Sequence, residues 1–185
     1  MPLVQGLKRT RRFFDWLAPR YNAVNARLFR PEWRALVRRA IESGRVLDVG
    51  VGTGYTSGDL KDAVGIDLSR EMLARAVDYR GHLVRGDATV PPFRAGSFGT
   101  IVCAGSFYYL PDPIAALRTF HELLWENGCV VMISPEAWFL RPLVRIYTRA
   151  EYAAMAASAS FSLERYETLL GLACLVRMRR RPATG

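Results

Sequence analysis

Residues 46–57 read VLDVGVGTGYTS, an apolar run broken by Asp48 and followed by glycines at alternate positions, Gly50, Gly52 and Gly54. A strand that passes through such a turn into a helix brings backbone N–H groups close to a ligand, because glycine has no Cβ and tolerates positive φ. A dinucleotide fingerprint needs Gly-x-Gly-x-x-Gly, and Tyr55 stands where its last glycine belongs. The spacing therefore disfavours NAD. A phosphate-cradling P-loop ends in Gly-Lys-Ser/Thr, and GTGYTS has no lysine, which speaks against nucleoside triphosphate hydrolysis.

Outward from this turn the chain alternates two kinds of segment. Short continuous apolar runs, the mark of strands covered on both faces, occur at 45–50, 63–68, 82–87, 100–105 and 129–134. Amphipathic stretches between them predict helices over 54–61, 69–79 and 112–126. Strand and helix in alternation imply an α/β fold, a doubly wound, mostly parallel sheet with helices on both faces and right-handed crossovers. A further helix is expected at 149–158, capped by Thr148, and strands near 161–168 and 171–179 complete a seven-stranded sheet. Residues before the sheet read as helices, with Phe13, Phe14, Trp16, Leu17, Leu28, Phe29, Trp33, Leu36, Val37 and Ile41 supplying apolar faces.

At 185 residues the chain suits one domain with a full core: an N-terminal helical extension or lid over 1–43 and a cofactor-binding sheet domain over 44–185. The net charge of +9 is concentrated at the flanks. Residues 1–45 hold eleven Arg/Lys against three acids, residues 46–147 nine against eleven, and residues 148–185 six against three. Such flanks favour an anionic substrate, a membrane surface or RNA, although only Lys8 and Lys61 are lysines and an arginine bias can reflect the coding genome. Cys103, Cys129 and Cys174 are widely spaced in apolar sequence, which suits reduced core thiols and no metal site. With no membrane-spanning apolar run and no secretory signal pattern, a cytoplasmic protein is the expectation.

VLDVGVGTG resembles motif I of the class I S-adenosylmethionine-dependent methyltransferases, an acid followed by three alternate glycines. The likeness continues in order through AVGIDLSREMLARA, LVRGDATVPPFRAGSFGTIVCAGSFYYLPDP and ALRTFHELLWENGCVVMIS, covering residues 45–134. Upstream, Phe14, Asp15, Ala18, Tyr21, Asn22, Asn25, Trp33 and Arg34 fit a pattern similar to that of the ubiquinone/menaquinone biosynthesis methyltransferases. Two turns depart from it: Phe98 is followed by Gly99 in place of an acid, and Glu126-Asn127-Gly128-Cys129 replaces a Lys-Pro-Gly-Gly turn.

The resemblance implies a Rossmann-like fold and S-adenosyl-L-methionine as cofactor. It gives Asp48, Val49, Gly50, Val51, Gly52 and Gly54 to the methionine moiety and its turn. Asp67 would accept both ribose hydroxyls, with Leu68 and Met72 against the adenine face. Asp87 would take the adenine amino hydrogen beside the Ala88 amide, while Ala104, Gly105 and Ser106 meet the methionine amine and Tyr21 closes over the cofactor. Tyr21, Tyr108 and Tyr109 are the acceptor-facing candidates, as orienting groups, since no histidine or free carboxylate announces a general base. His82 and His121 read as structural. The expected reaction is methyl transfer to a small-molecule acceptor, a quinone precursor or a lipid-like aromatic. Two alternatives stand beside it: an RNA or other macromolecular acceptor with peripheral membrane association, suggested by the basic extension, and a non-catalytic cofactor-binding module.

Overall fold

The computed structural model describes residues 6–42 and 44–182; residues 1–5 and 43 of the expected extension lie outside the described residues. Seven strands form one sheet: β1 (Val46–Val49), β2 (Ala63–Asp67), β3 (His82–Arg85), β4 (Phe98–Ala104), β5 (Leu124–Pro135), β6 (Phe161–Leu169) and β7 (Ala173–Arg180). Their order across the sheet is β3-β2-β1-β4-β5-β7-β6. The first five pair in parallel, and β7 runs antiparallel to both β5 and β6. Strand order reverses between β1 and β4, the place where open α/β sheets leave a crevice at their carboxyl ends.

The central strands are apolar at consecutive positions because both faces are covered. Along β5, Val130 and Met132 join one buried cluster and Cys129, Val131 and Ile133 the other, the alternation that a pleated strand imposes. The first cluster is sealed by Leu117 and Phe120 of α5 (Pro113–Leu123) and by Tyr152 and Met155 of α6 (Arg149–Ser158). The second is sealed by Trp33, Val37 and Ala40 of α3 (Pro31–Ala40). Edge strand β3, with three of four residues exposed, lacks this double cover.

Chain chemistry sets the helix limits. Asp112 caps α5 by accepting from the amides of Ile114 and Ala115, both at 3.0 Å, with Pro113 in the first turn where no donor is needed. Thr148 caps α6 in a reciprocal box with Glu151. The extension comprises α1 (Leu7–Leu17), a 3-10 turn (Ala18–Arg20), α2 (Tyr21–Leu28) and α3.

Three helix expectations are corrected. Residues 54–61 form successive turns, because Gly54 sits at φ +81° and only the Gly58 amide reaches back four residues, to Gly54 O at 2.8 Å. Residues 69–79 hold one helical turn, α4 (Arg70–Leu73), and then open turns. The helix expected over 112–126 ends at Leu123, and Trp125 and Glu126 already belong to β5. Both departures from the family turns are accommodated: Asn127 adopts φ +62°, a conformation that asparagine tolerates, and Gly99 donates to Arg45 O at 2.9 Å.

Polar contacts fasten the extension to the sheet. Glu42, just after α3, meets Arg177 and Arg179 of β7, and both arginines also reach Glu164 of β6. Asp59, beyond the glycine turn, receives Arg34 at 3.1 Å and Arg38 at 3.3 Å, and the Arg34 guanidinium lies over the Tyr55 ring. All three cysteines are buried free thiols, and among the described residues no helix is long and apolar enough to cross a membrane.

Candidate functional site

A cleft of about 730 Å³, including its open mouth, lies at the carboxyl ends of β1, β2 and β4. Its floor is the turn after β1. Gly50 and Gly52 adopt φ +69° and +56°, a region costly for residues with a Cβ. Space forbids a side chain as firmly as conformation does at Gly50, where a Cβ would lie 2.5 Å from that of Ser106. Ser106 in turn donates its hydroxyl to Val49 O, stapling the end of β4 to the end of β1.

Asp67, at the tip of β2, organises the next wall. One carboxylate oxygen accepts the Gly52 amide at 2.9 Å and the other the Ser69 amide at 2.8 Å, so a single side chain fixes the glycine turn and the entry to α4. The Ser69 hydroxyl caps α4 by accepting from the Met72 amide and donates to Asp15 of α1. Burial pushes the Asp67 carboxyl above the ordinary carboxylate range, against the pull of its amide donors. Asp87, beyond β3, uses one oxygen to accept both the Thr89 amide, at 2.8 Å, and the Thr89 hydroxyl, at 2.7 Å.

Asp48 lies beneath the turn, 2% exposed, accepting the Ser57 hydroxyl at 2.6 Å; Ser57 also meets the Tyr79 hydroxyl at 3.0 Å. Burial pushes Asp48 up to about 7, with the Ser57 hydrogen bond opposing and the Asp67 charge adding to the rise. A smaller polar cavity, lined by Asp48, Val51, Asn25, Thr53 and Thr56 among others, shares Tyr21, Gly50 and Ala104 with the main cleft. Asn22 of α2 accepts the Thr53 hydroxyl at 2.7 Å and ties the extension to the glycine loop beside it.

Of the residues singled out from the sequence, Val49, Gly50, Gly52, Asp67, Leu68, Met72, Asp87, Ala88, Ala104, Tyr21 and Tyr109 line the main cleft. Asp48 and Val51 line the smaller cavity instead. Gly54 lines neither; a Cβ there would meet the Tyr79 ring at 2.9 Å, so its glycine serves the packing of the turn. Tyr108 also lines neither, its ring tilted against that of Tyr109 with centroids 4.4 Å apart. Burial raises all three tyrosine hydroxyls, Tyr21 to about 12, and keeps them protonated donors. His121 packs edge-on against Phe161 and reaches Arg181 O at 3.2 Å, away from the cleft.

The sequence points to a lid over 1–43 without singling out the residues that form its cleft wall. Leu7, Thr10, Arg11 and Phe14 of α1 line the cleft, and Phe14 meets Tyr109 edge-on at 5.3 Å. Their spacing of three and four residues marks one helical face, a signal present in the sequence but masked by Phe13 and Trp16 on the other side. Trp16, counted among the apolar packing residues, is 69% exposed.

Comparison with known proteins bears on the family and the fold. A family model described as a methyltransferase domain matches residues 47–132. The demethylmenaquinone methyltransferase of Renibacterium salmoninarum is 30% identical over 161 residues, covering 80% of this chain and 68% of that protein. The aklanonic acid methyltransferase of a Streptomyces species is 29% identical over 144 residues, 69% of this chain and 66% of that protein. This chain thus spans about two thirds of the length of these relatives. Among solved structures, an S-adenosylmethionine-dependent methyltransferase of Thermotoga maritima superposes with a TM-score of 0.80 at 18% identity, over 92% of this chain and 99% of that one. The two share the Rossmann-like fold.

Proposed function

Because this chain belongs to the class I S-adenosylmethionine-dependent methyltransferases, of the ubiquinone/menaquinone biosynthesis type, we propose that it methylates a small aromatic or quinone-like acceptor held beside Tyr109. It is an S-adenosylmethionine-dependent methyltransferase, and S-adenosylmethionine is its cofactor. The observation that carries the site assignment is the convergence of Asp67, Asp87 and the bare backbone at Gly50 and Gly52 on one cleft. A vicinal diol suits the Asp67 carboxylate, whose oxygens each accept one amide and keep a second acceptor site. Asp87 has one oxygen clear of Thr89, fit for an amino hydrogen of the base, while Leu68, Met72 and Ile66 offer apolar surface to a flat ring. The smaller cavity, with Asp48 and Asn25, suits an amino-acid end bearing an ammonium group.

The bound cofactor supplies an electrophilic methyl group on a sulfonium. The chain's own task is to align an acceptor with it and exclude water, a contribution of orientation and desolvation. Tyr21 and Tyr109 hold their protons because both are buried, so they donate hydrogen bonds to an acceptor oxygen and do not serve as bases. Phe14 and Tyr109, in edge contact, form an apolar wall for an aromatic ring, and α1 covers the cleft as a lid. A single domain over 1–185 and a cytoplasmic location, in keeping with three free thiols, belong to the same reading.

Calorimetry with S-adenosylhomocysteine tests the cofactor site, and transfer of labelled methyl from S-adenosylmethionine to hydroquinone acceptors tests the acceptor class. Absence of S-adenosylhomocysteine binding would remove the site assignment. Binding with transfer confined to RNA would overturn the acceptor.

A further inference from the structure

Beside the cleft lies an apolar surface that nothing in the described chain covers. Trp138 and Phe139, in a 3-10 turn after β5, are 78% and 56% exposed, and Leu143 follows at 44%. The tip of the β6–β7 hairpin adds Leu170 and Leu172, at 69% and 41%, because Leu172 O accepts the Glu136 and Ala137 amides at 3.0 and 3.3 Å. Single exposed apolar residues are ordinary, but five on two hydrogen-bonded loops form a patch of the kind that marks an interaction surface. Leu170 makes the point most sharply. It holds φ +56° in a tight turn where asparagine or glycine is favoured, so neither backbone preference nor contact with water accounts for a leucine.

The charge on the loop is mainly positive. Residues 136–149 carry Arg141, Arg145 and Arg149 against Glu136, whose carboxylate is engaged by the Tyr166 and Thr168 hydroxyls. Arg145 also donates to Pro111 O at 3.2 Å, joining the patch to the loop whose Tyr109 and Leu110 line the cleft. On the far wall of the cleft, Arg9, Arg12 and the exposed Trp16 of α1 lie on the face opposite Leu7, Thr10 and Phe14.

We propose that the loop of Trp138–Leu143 and the hairpin tip at Leu170–Leu172 seat this enzyme on an anionic lipid surface, from which an amphiphilic acceptor passes directly into the cleft. The proposal rests on the quinone-like acceptor proposed above. Trp138 and Phe139 enter the headgroup region with the leucines, and the three arginines face lipid phosphates, the combination that holds interfacial segments on membranes. Single-stranded RNA fits less well, because three of the five apolar residues are leucines, which give bases no stacking platform.

The test is co-sedimentation of the full chain with phosphatidylcholine vesicles, with and without phosphatidylglycerol, at low and high salt. We expect partitioning onto the anionic vesicles, weakened by salt, with a blue shift of tryptophan emission. Replacing both Trp138→Ser and Phe139→Ser should lower the partition coefficient by on the order of tenfold or more. Leu170→Asn, which suits the turn better, should raise stability while also weakening partitioning. Unaltered S-adenosylhomocysteine affinity in these variants shows that they are folded. No partitioning at low salt, equal partitioning of wild type and variants, or retention of RNA by the same residues would each overturn the proposal. Failure of the wild type to bind S-adenosylhomocysteine would instead strike the functional reading and leave the vesicle result standing.

Discussion

Asp48 should make this protein less stable at neutral pH than under mildly acidic conditions. The carboxyl is buried beneath the glycine turn and pushed from its ordinary 3.8 up to about 7, chiefly by burial. An acid whose pKa is raised on folding keeps in the native state a proton that the unfolded chain releases. Its stabilising contribution is therefore complete below pH 3.8 and lost as pH rises towards 7. At about 1.4 kcal/mol per pH unit, the whole interval corresponds to roughly 4 kcal/mol, of which about 2.5 kcal/mol falls between pH 5 and pH 7.5. Glu42 and Glu151 do not confuse this window. Arg179 and Thr148 respectively hold them below the ordinary 4.5, so their contributions are already complete at pH 5 and are lost only in stronger acid. Asp67 is raised as well and adds in the same direction, so the difference between wild type and Asp48→Asn isolates Asp48. Asparagine keeps the hydrogen bond to Ser57 and cannot ionise. Urea unfolding of the cofactor-free protein at both pH values should show the wild type losing about 2.5 kcal/mol more than the variant. Equal pH dependence in the two proteins would refute the reasoning. The same ionisation has a binding consequence: an ammonium group placed in the smaller cavity favours the carboxylate, so S-adenosylhomocysteine should bind the wild type more tightly as pH rises from 5 to 7.5.

Three further outcomes are expected. Gly50→Ala drives a Cβ to 2.5 Å from that of Ser106 at φ +69°, and should cost about 1–3 kcal/mol in thermal or urea unfolding while nearly abolishing cofactor binding; Ser106→Gly in the same chain should restore only part of it. Asp67→Asn should weaken S-adenosylhomocysteine binding about ten- to a hundredfold by calorimetry, on the scale of a hydrogen bond to a charged group, and a change under twofold would dismiss the ribose role. Tyr109→Phe should retain most of kcat and Tyr109→Ala should lose it together with acceptor affinity, if the ring orients the acceptor; equal losses in both would point to the hydroxyl as a proton-transfer group.

The sheet was legible because strands buried on both faces announce themselves as uninterrupted apolar runs, and all seven fall at the places expected. What misled was the segment after the glycines. GYTSGDLK has helical spacing, yet Gly54 opens it, Gly58 interrupts it, and the left-handed Gly54 turns the chain away from a continuous ladder. At 69–79 the Ser69 cap was readable, but the length of α4 was not, because hydrogen bonds past Leu73 close turns through Met72 O, Leu73 O and Ala76 O. The cleft-lining residues at the strand tips were named through the family resemblance, which puts a ligand at the carboxyl ends of the strands. The lid formed by the extension was expected, but its individual residues were not named, because a helix face says which residues lie together and nothing of what they lie against. Gly54 shows the converse: its glycine is demanded by the Tyr79 ring, a partner 25 positions later that no local pattern reveals.

The position of β7 between β5 and β6 has a consequence for biosynthesis. A nascent chain on the ribosome can pair its first five strands in order, yet β5 must wait, with one flank of amides and carbonyls bare, until residues 173–180 emerge and slide in beside it. The arginines that clasp Glu42 arrive on that same late strand, so the end of α3 gains this ion pair only then, although Asp59 is already there to receive Arg34 and Arg38. Stalled or truncated products ending between residues 135 and 173 should therefore be clients of chaperones and prone to edge-to-edge aggregation.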